Sequence, residues 1–184
     1  MQSVYKSAIL TPSHKVLSKN LKPLSLGHIY LLYALENKII LGVDPDLEDI
    51  ISLVYVCSRR YKQVKRYIET GLWEQDVSRW GSQADIEGWD KVQADIDMYL
   101  SYYLQAPETW DDNDKQNSKI GSHWLISLIT SLMEYLHLQE DEILDMPVSR
   151  ALSYYVTLQE QHGGAKVLSD DEISILDKLD KDNK

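Results

Sequence analysis

"DPDLEDIISLVYVCSRRYKQVKRYIETG", residues 44–71, decides the fold. Asp44-Pro45 places a capping carboxylate ahead of a proline at a first helical position, where the missing N–H has no partner to lose. From there Leu47, Ile50, Ile51, Val54, Cys57, Tyr61, Val64 and Ile68 recur every three or four residues, and Gly71 ends the pattern. That spacing predicts one long amphipathic helix. A strand would alternate its apolar side chains instead.

The same period extends in both directions. Upstream, Leu24-Ser25-Leu26-Gly27-His28-Ile29 reads as a helix start, with Ser25 as N-cap and Leu24 and Ile29 spaced as a hydrophobic staple. That helix runs to about Asn37, and His28 in its first turn reads as a neutral capping or packing residue. Downstream, Ile86, Trp89, Val92, Ile96, Tyr99, Leu100 and Tyr103 form a stripe that stops before Pro107. Residues 105–118, "QAPETWDDNDKQNS", read as a polar loop. The next segment, 119–138, is apolar on several sides through Trp124, Leu125, Ile126, Leu128, Ile129, Leu132 and Leu136, which predicts a central helix. Pro147 opens a further helix running to Gly163-Gly164, and Ser169-Asp170-Asp171-Glu172 matches a capping box before Ile173, Leu176 and Leu179. No alternating stretch of useful length and no repeat appears. The expectation is an all-α chain: one domain over 1–184, a compact bundle of six or seven helices, and an N-terminal arm, 1–20, of unassigned structure.

Composition narrows the function classes. A net charge of −10 argues against nucleic-acid binding, which needs cations to displace the counterions around phosphate. No apolar run approaches the ~20 residues of a membrane span. Near the N-terminus only Ala8-Ile9-Leu10 is continuously apolar, short of a secretory h-region. Cys57 is the single cysteine, so an intrachain disulfide is excluded, and its apolar run reads as a buried thiol in a reducing cytoplasm.

Clusters that could carry chemistry have simpler readings. Glu140, Asp141, Glu142 and Asp145 put four carboxylates into six residues, and first-turn carboxylates suit the positive end of a helix dipole. Asp44-Pro-Asp46-Leu-Glu48-Asp49 resembles a calcium loop but has Asp49 where the turn needs glycine and Tyr55 where the bidentate glutamate belongs. Asp112-Asn-Asp114-Lys-Gln116-Asn117 also lacks the glycine and ends on His123. Histidines 14, 28, 123, 137 and 162 are scattered, without zinc-ligand spacing. No phosphate loop or nucleophile elbow occurs. The sequence predicts no enzyme, no cofactor and no bound metal.

Charge distribution points to protein partners. Residues 1–68 hold ten Lys/Arg against five Asp/Glu, a balance of +5, so the remaining 116 residues carry −15. Arg59, Lys62 and Arg66 fall on one face of the long helix, opposite Tyr61 and Val64. Glu87, Asp90 and Asp97 fall on one polar face of the third helix. These faces are candidates for docking to an acidic partner or to another copy of the chain, with charge setting register more than affinity. The alternative is a solvated helix face. Trp110 is a further candidate contact, because it stands in an acidic loop and not in an apolar stripe.

"LKPLSLGHIYLLYAL" (21–35), followed by a helix ending "VCSRR" (56–60), resembles a pattern in small proteins encoded among bacteriophage and prophage tail genes. "LHLQEDEILDMPVSRALSYYVTLQEQHGG" (136–164) is similar to the same group in order and rhythm, while residues 70–120 lie outside the likeness. The resemblance implies a tail-assembly or tail-accessory role, of the tail-assembly-chaperone kind, in the host cytoplasm, with tail components as partners and no catalytic residues. The competing expectation, from composition, is a soluble inhibitor or immunity-type protein whose acidic surface covers a basic partner.

Overall fold

The computed structural model describes residues 9–10, 12–71, 73, 76, 80, 88–107, 123–164, 167–168 and 172. Among these are strands β1 (His14–Val16) and β2 (Lys19–Leu21) and eight helices. The helices are α1 (Leu26–Ala34), α2 (Lys38–Leu41), α3 (Leu47–Cys57), α4 (Tyr61–Glu69), α5 (Trp89–Tyr103), α6 (Trp124–Leu136), α7 (Glu140–Leu144) and α8 (Val148–Gln161). The all-α expectation holds, with a small hairpin added. Most of the expected capping box at 169–172 and most of the 105–118 loop fall outside the described residues.

The hairpin lies in the segment assigned to an N-terminal arm. β1 and β2 pair antiparallel, with His14 opposite Leu21 and Val16 opposite Lys19. Leu17 and Ser18 make the turn at φ 48° and 57°, the left-handed pair a two-residue hairpin requires. Neither is glycine or asparagine. Leu17 is fully buried, and that burial offsets a left-handed penalty of roughly 1–2 kcal/mol.

The long helix of 47–68 breaks. α3 ends at Cys57, Arg60 takes extended backbone at φ −74° and ψ 145°, and α4 restarts at Tyr61. Cys57 and Tyr61 stay four residues apart, so the apolar spacing continues through the break and hides it from a periodicity reading. Helix α1 and the segment leading into it supply the partners that the break exposes. The Lys22 N–H donates to the Cys57 carbonyl at 2.7 Å, and His28 Nε2 donates to the Arg59 carbonyl at 2.8 Å.

His28 is therefore a capping residue and more. The Ser25 N–H donates to His28 Nδ1 at 3.2 Å and the His28 N–H donates to Ser25 Oγ at 3.3 Å, a capping box with imidazole in the usual glutamate's place. With Nδ1 accepting and Nε2 donating, one neutral tautomer satisfies both bonds. Burial of the ring lowers its pKa to about 4, against the opposing pull of the Arg59 carbonyl.

A third segment closes this junction. The Leu26 N–H donates to the Met146 carbonyl at 3.1 Å and the Val148 N–H donates to the Leu24 carbonyl at 2.8 Å. Gly27 sits where a β-carbon would fall 2.4 Å from Tyr61 Cγ, so only glycine admits this approach of α1 to α4. Residues 21–28, 57–61 and 144–148 thus form one hydrogen-bonded knot.

The centre of the bundle is α3, not the 119–138 segment. Every residue from Asp49 to Cys57 is buried. Helix α6 buries Leu125, Leu128, Ile129 and Leu132 but leaves Trp124, Ile126, Met133 and Tyr135 exposed. Its apolar residues outnumber the positions its one packed face can cover, and the surplus faces solvent.

Candidate functional site

The helix break redistributes the basic row. Arg59 leaves the α4 face and packs its guanidinium carbon over the Tyr55 ring at 4.1 Å, with Trp80 at 5.3 Å and Tyr67 at 5.8 Å. Its Nη2 pairs with Asp76 at 3.3 Å, and its side chain is only 22% exposed. Stacking of this kind is worth roughly 0.5–2 kcal/mol, so Arg59 is an internal tie and not a free docking charge. Lys62 meets Asp141 at 3.0 Å, and both side chains are largely exposed, so solvent screens the pair. Arg66 is exposed on α4.

The acidic row stands apart from these cations. Asp90 lies exposed in the first turn of α5, where the helix dipole favours it. Asp97 is exposed and accepts from Gln93 Nε2 at 2.8 Å. Among the described residues no ion pair joins Arg59, Lys62 or Arg66 to Asp90 or Asp97. Glu87 and Trp110 lie outside the described residues. The structure instead brings Lys62 to the acidic start of α7. There Glu140, Asp141 and Glu142 occupy the first turn as the sequence predicts, and Glu142 Oε2 accepts from the Gln139 N–H at 2.9 Å.

Two concavities among the described residues bear on a candidate site. The first, about 370 Å³, lies over the interhelix knot and is lined by Lys22, Ser25, His28, Arg60, Tyr61 and Asp145. Its imidazole has both nitrogens committed to backbone partners, which leaves His28 no lone pair or proton to offer a ligand. The second, about 310 Å³, lies between α1 and the start of α6 and is lined by Tyr30, Tyr33, Ala34, His123, Leu125 and Ile126. Tyr30, Tyr33 and Ala34 are spaced i, i+3 and i+4, so they share one face of α1.

Aromatic contacts join α1 to the start of α6 at that second groove. Trp124 Nε1 donates to the Tyr33 hydroxyl at 3.1 Å, and the His123 ring stands edge-on to Tyr33 with centroids 4.6 Å apart. Tyr30, Trp124 and Ile126 are each 45% exposed around it. Ile126 and Met133, seven residues apart, lie on one edge of α6 and continue the apolar surface along the helix. A cluster of large apolar side chains left in water is the usual mark of an interaction site. The sequence places Trp124 and Ile126 in an expected central helix and does not single out Tyr30 or Met133. The signal that could have found them is the surplus of apolar positions around α6, together with tyrosines on an otherwise uncharged α1.

Among the described residues no group of three or more His, Cys, Asp or Glu is placed to hold a metal ion. No helix among them is long and apolar enough to cross a membrane. Set against known proteins, the chain matches no family model, no curated protein and no solved structure.

Proposed function

We propose that this chain is a non-enzymatic protein-interaction module, acting in the assembly of a phage tail or related particle in the cytoplasm, with the α1–α6 groove as its contact surface. The observation that carries the reading is the groove itself: Tyr30, Trp124 and Ile126, each 45% exposed, around an apolar concavity of about 310 Å³. Tyrosine and tryptophan bury large areas while keeping a polar atom wet, which is why they anchor protein interfaces. The tail-gene likeness of 21–35, 56–60 and 136–164 supplies the assembly context. Those stretches contain the residues of the interhelix knot except Tyr61, so the likeness covers the framework that presents α1, while all of α6 but Leu136 lies outside it.

The test is quantitative affinity capture from cells expressing the tail genes, comparing the natural chain with a Tyr30→Ser/Ile126→Ser variant. Both positions are exposed, so the variant keeps its melting temperature. The expected outcome is tail components retained by the natural chain and lost by the variant. Equal retention by both, or no retention of a tail component by either, refutes the reading.

A further inference from the structure

The groove lining itself is uncharged, and the stretches of chain that run on from it are acidic. Residues 23–37 and 123–145 hold six carboxylates, Glu36, Glu134, Glu140, Asp141, Glu142 and Asp145, and no lysine or arginine. Of these only Asp141 is held in an ion pair among the described residues, by Lys62. Glu36 follows α1 just beyond Ala34, and Glu134 follows Met133 on α6; both are exposed. At the Tyr30 end, Tyr61 lies within electrostatic reach of Tyr30, Glu140 and Asp141 together. The cations at that end, Lys62 and Lys65, come from α4, and Lys62 is already taken.

Resting on the interaction reading above, we infer that the occupant of the α1–α6 groove is a cationic amphipathic helix of a partner protein. Its apolar stripe would lie along Tyr30, Ala34, Ile126 and Met133, and its flanking Lys/Arg would meet Glu36, Glu134 and Glu140. The two turns from Ile126 to Met133 span about 10 Å, which matches anchors at i, i+3 or i+4, and i+7 of a docked helix. An apolar trough whose surroundings carry more carboxylates than cations selects its partner by charge as well as by shape. A second copy docking through the same surface would set carboxylates against carboxylates. An anionic membrane would meet the same repulsion.

Calorimetric titration of the full chain tests this with synthetic helices. The probes are a 14-residue Leu/Lys amphipathic peptide, its Leu/Glu counterpart, and a Leu/Lys peptide of the same composition scrambled to remove the apolar stripe. The expected result is at least tenfold tighter binding of the amphipathic Leu/Lys peptide than of either control. Tyr30→Ser/Ile126→Ser should weaken it at least tenfold, with circular dichroism and melting unchanged. Equal binding of the scrambled peptide would reduce the effect to attraction between a polycation and an acidic protein and overturn the inference. So would equal binding by the variant, or a concentration-dependent dimer in light scattering that the same variant abolishes. Binding of no peptide would overturn the inference while leaving the capture result to decide the interaction reading by itself.

Discussion

Acid should unfold this protein partly through one imidazole. His28 is neutral, buried and bonded at both nitrogens, and its pKa falls from 6.5 to about 4 on folding. Above pH 6.5 the ring is neutral in both folded and unfolded chains and contributes no pH dependence. Below 6.5 the unfolded chain binds a proton that the folded chain refuses, so stability falls by about 1.4 kcal/mol per pH unit. Across the interval from 6.5 to about 4 the loss sums to about 3 kcal/mol. A domain of ordinary stability holds roughly 5–15 kcal/mol, so this one group is a substantial share. The assay is urea unfolding at intervals from pH 7.5 to 4.5, on the natural chain and on His28→Gln. Glutamine at this position can form a capping box and can donate to the Arg59 carbonyl, yet it does not titrate. The variant should be less stable at pH 7.5 and should lack most of the acid-side slope. Carboxylates and the partly exposed His14 titrate in both proteins and cancel in the difference. Parallel curves would refute the assignment of a buried neutral imidazole to the α3–α4 break.

Gly27→Ala should lower stability by about 1–3 kcal/mol, because its β-carbon meets Tyr61 Cγ at 2.4 Å and the Leu144 carbonyl oxygen at 2.9 Å; an unchanged melt would show that α1 and α4 are not in this contact. Ser18→Gly should stabilise by up to about 1 kcal/mol by relieving a left-handed serine at φ 57°, read as a rise of roughly 2–4 °C in Tm. Arg59→Met should cost about 1–2 kcal/mol through lost stacking on Tyr55 and Trp80, with no change in mass by light scattering. A shift in mass with an unchanged melt would restore Arg59 as an intermolecular contact.

The helices were legible where apolar period and punctuation agreed. Ser25 and Pro147 each open a helix in the structure, and Pro107 follows the end of α5; the cap expected at Asp44, ahead of Pro45, falls instead on Asp46, whose carboxylate accepts from the Glu48 and Asp49 N–H groups, so α3 starts at Leu47. Three features were not legible, each for a physical reason. The break at 58–60 keeps apolar phase, so nothing in the spacing marks it; its cause lies 31 residues upstream in His28. The hairpin uses Leu17 and Ser18 where sequence rules look for glycine or asparagine, and tertiary burial of Leu17 overrides that preference. The groove escaped because hydrophobicity reports what a residue prefers, whereas exposure depends on whether a neighbour exists to cover it. Arg59 illustrates the same limit: the extended backbone at Arg60 separates it from the α4 face, and its guanidinium packs over Tyr55, four residues back.

The knot at His28 also has a kinetic meaning. Helix α4 takes its direction from bonds donated by residues 22 and 28, and α1 in turn exchanges bonds with the chain at 146 and 148. Neither α1 nor α4 has a defined orientation until segments more than a hundred residues apart have met. Closing such a loop is entropically costly before any contact repays it. Substitutions at Ser25, Gly27 or His28 should therefore slow refolding more than they speed unfolding, the signature of a nucleus. Changes at Tyr30 or Ile126, outside the knot, should leave the refolding rate alone. The wall of the binding groove and the folding nucleus would then be two faces of the same nine-residue helix.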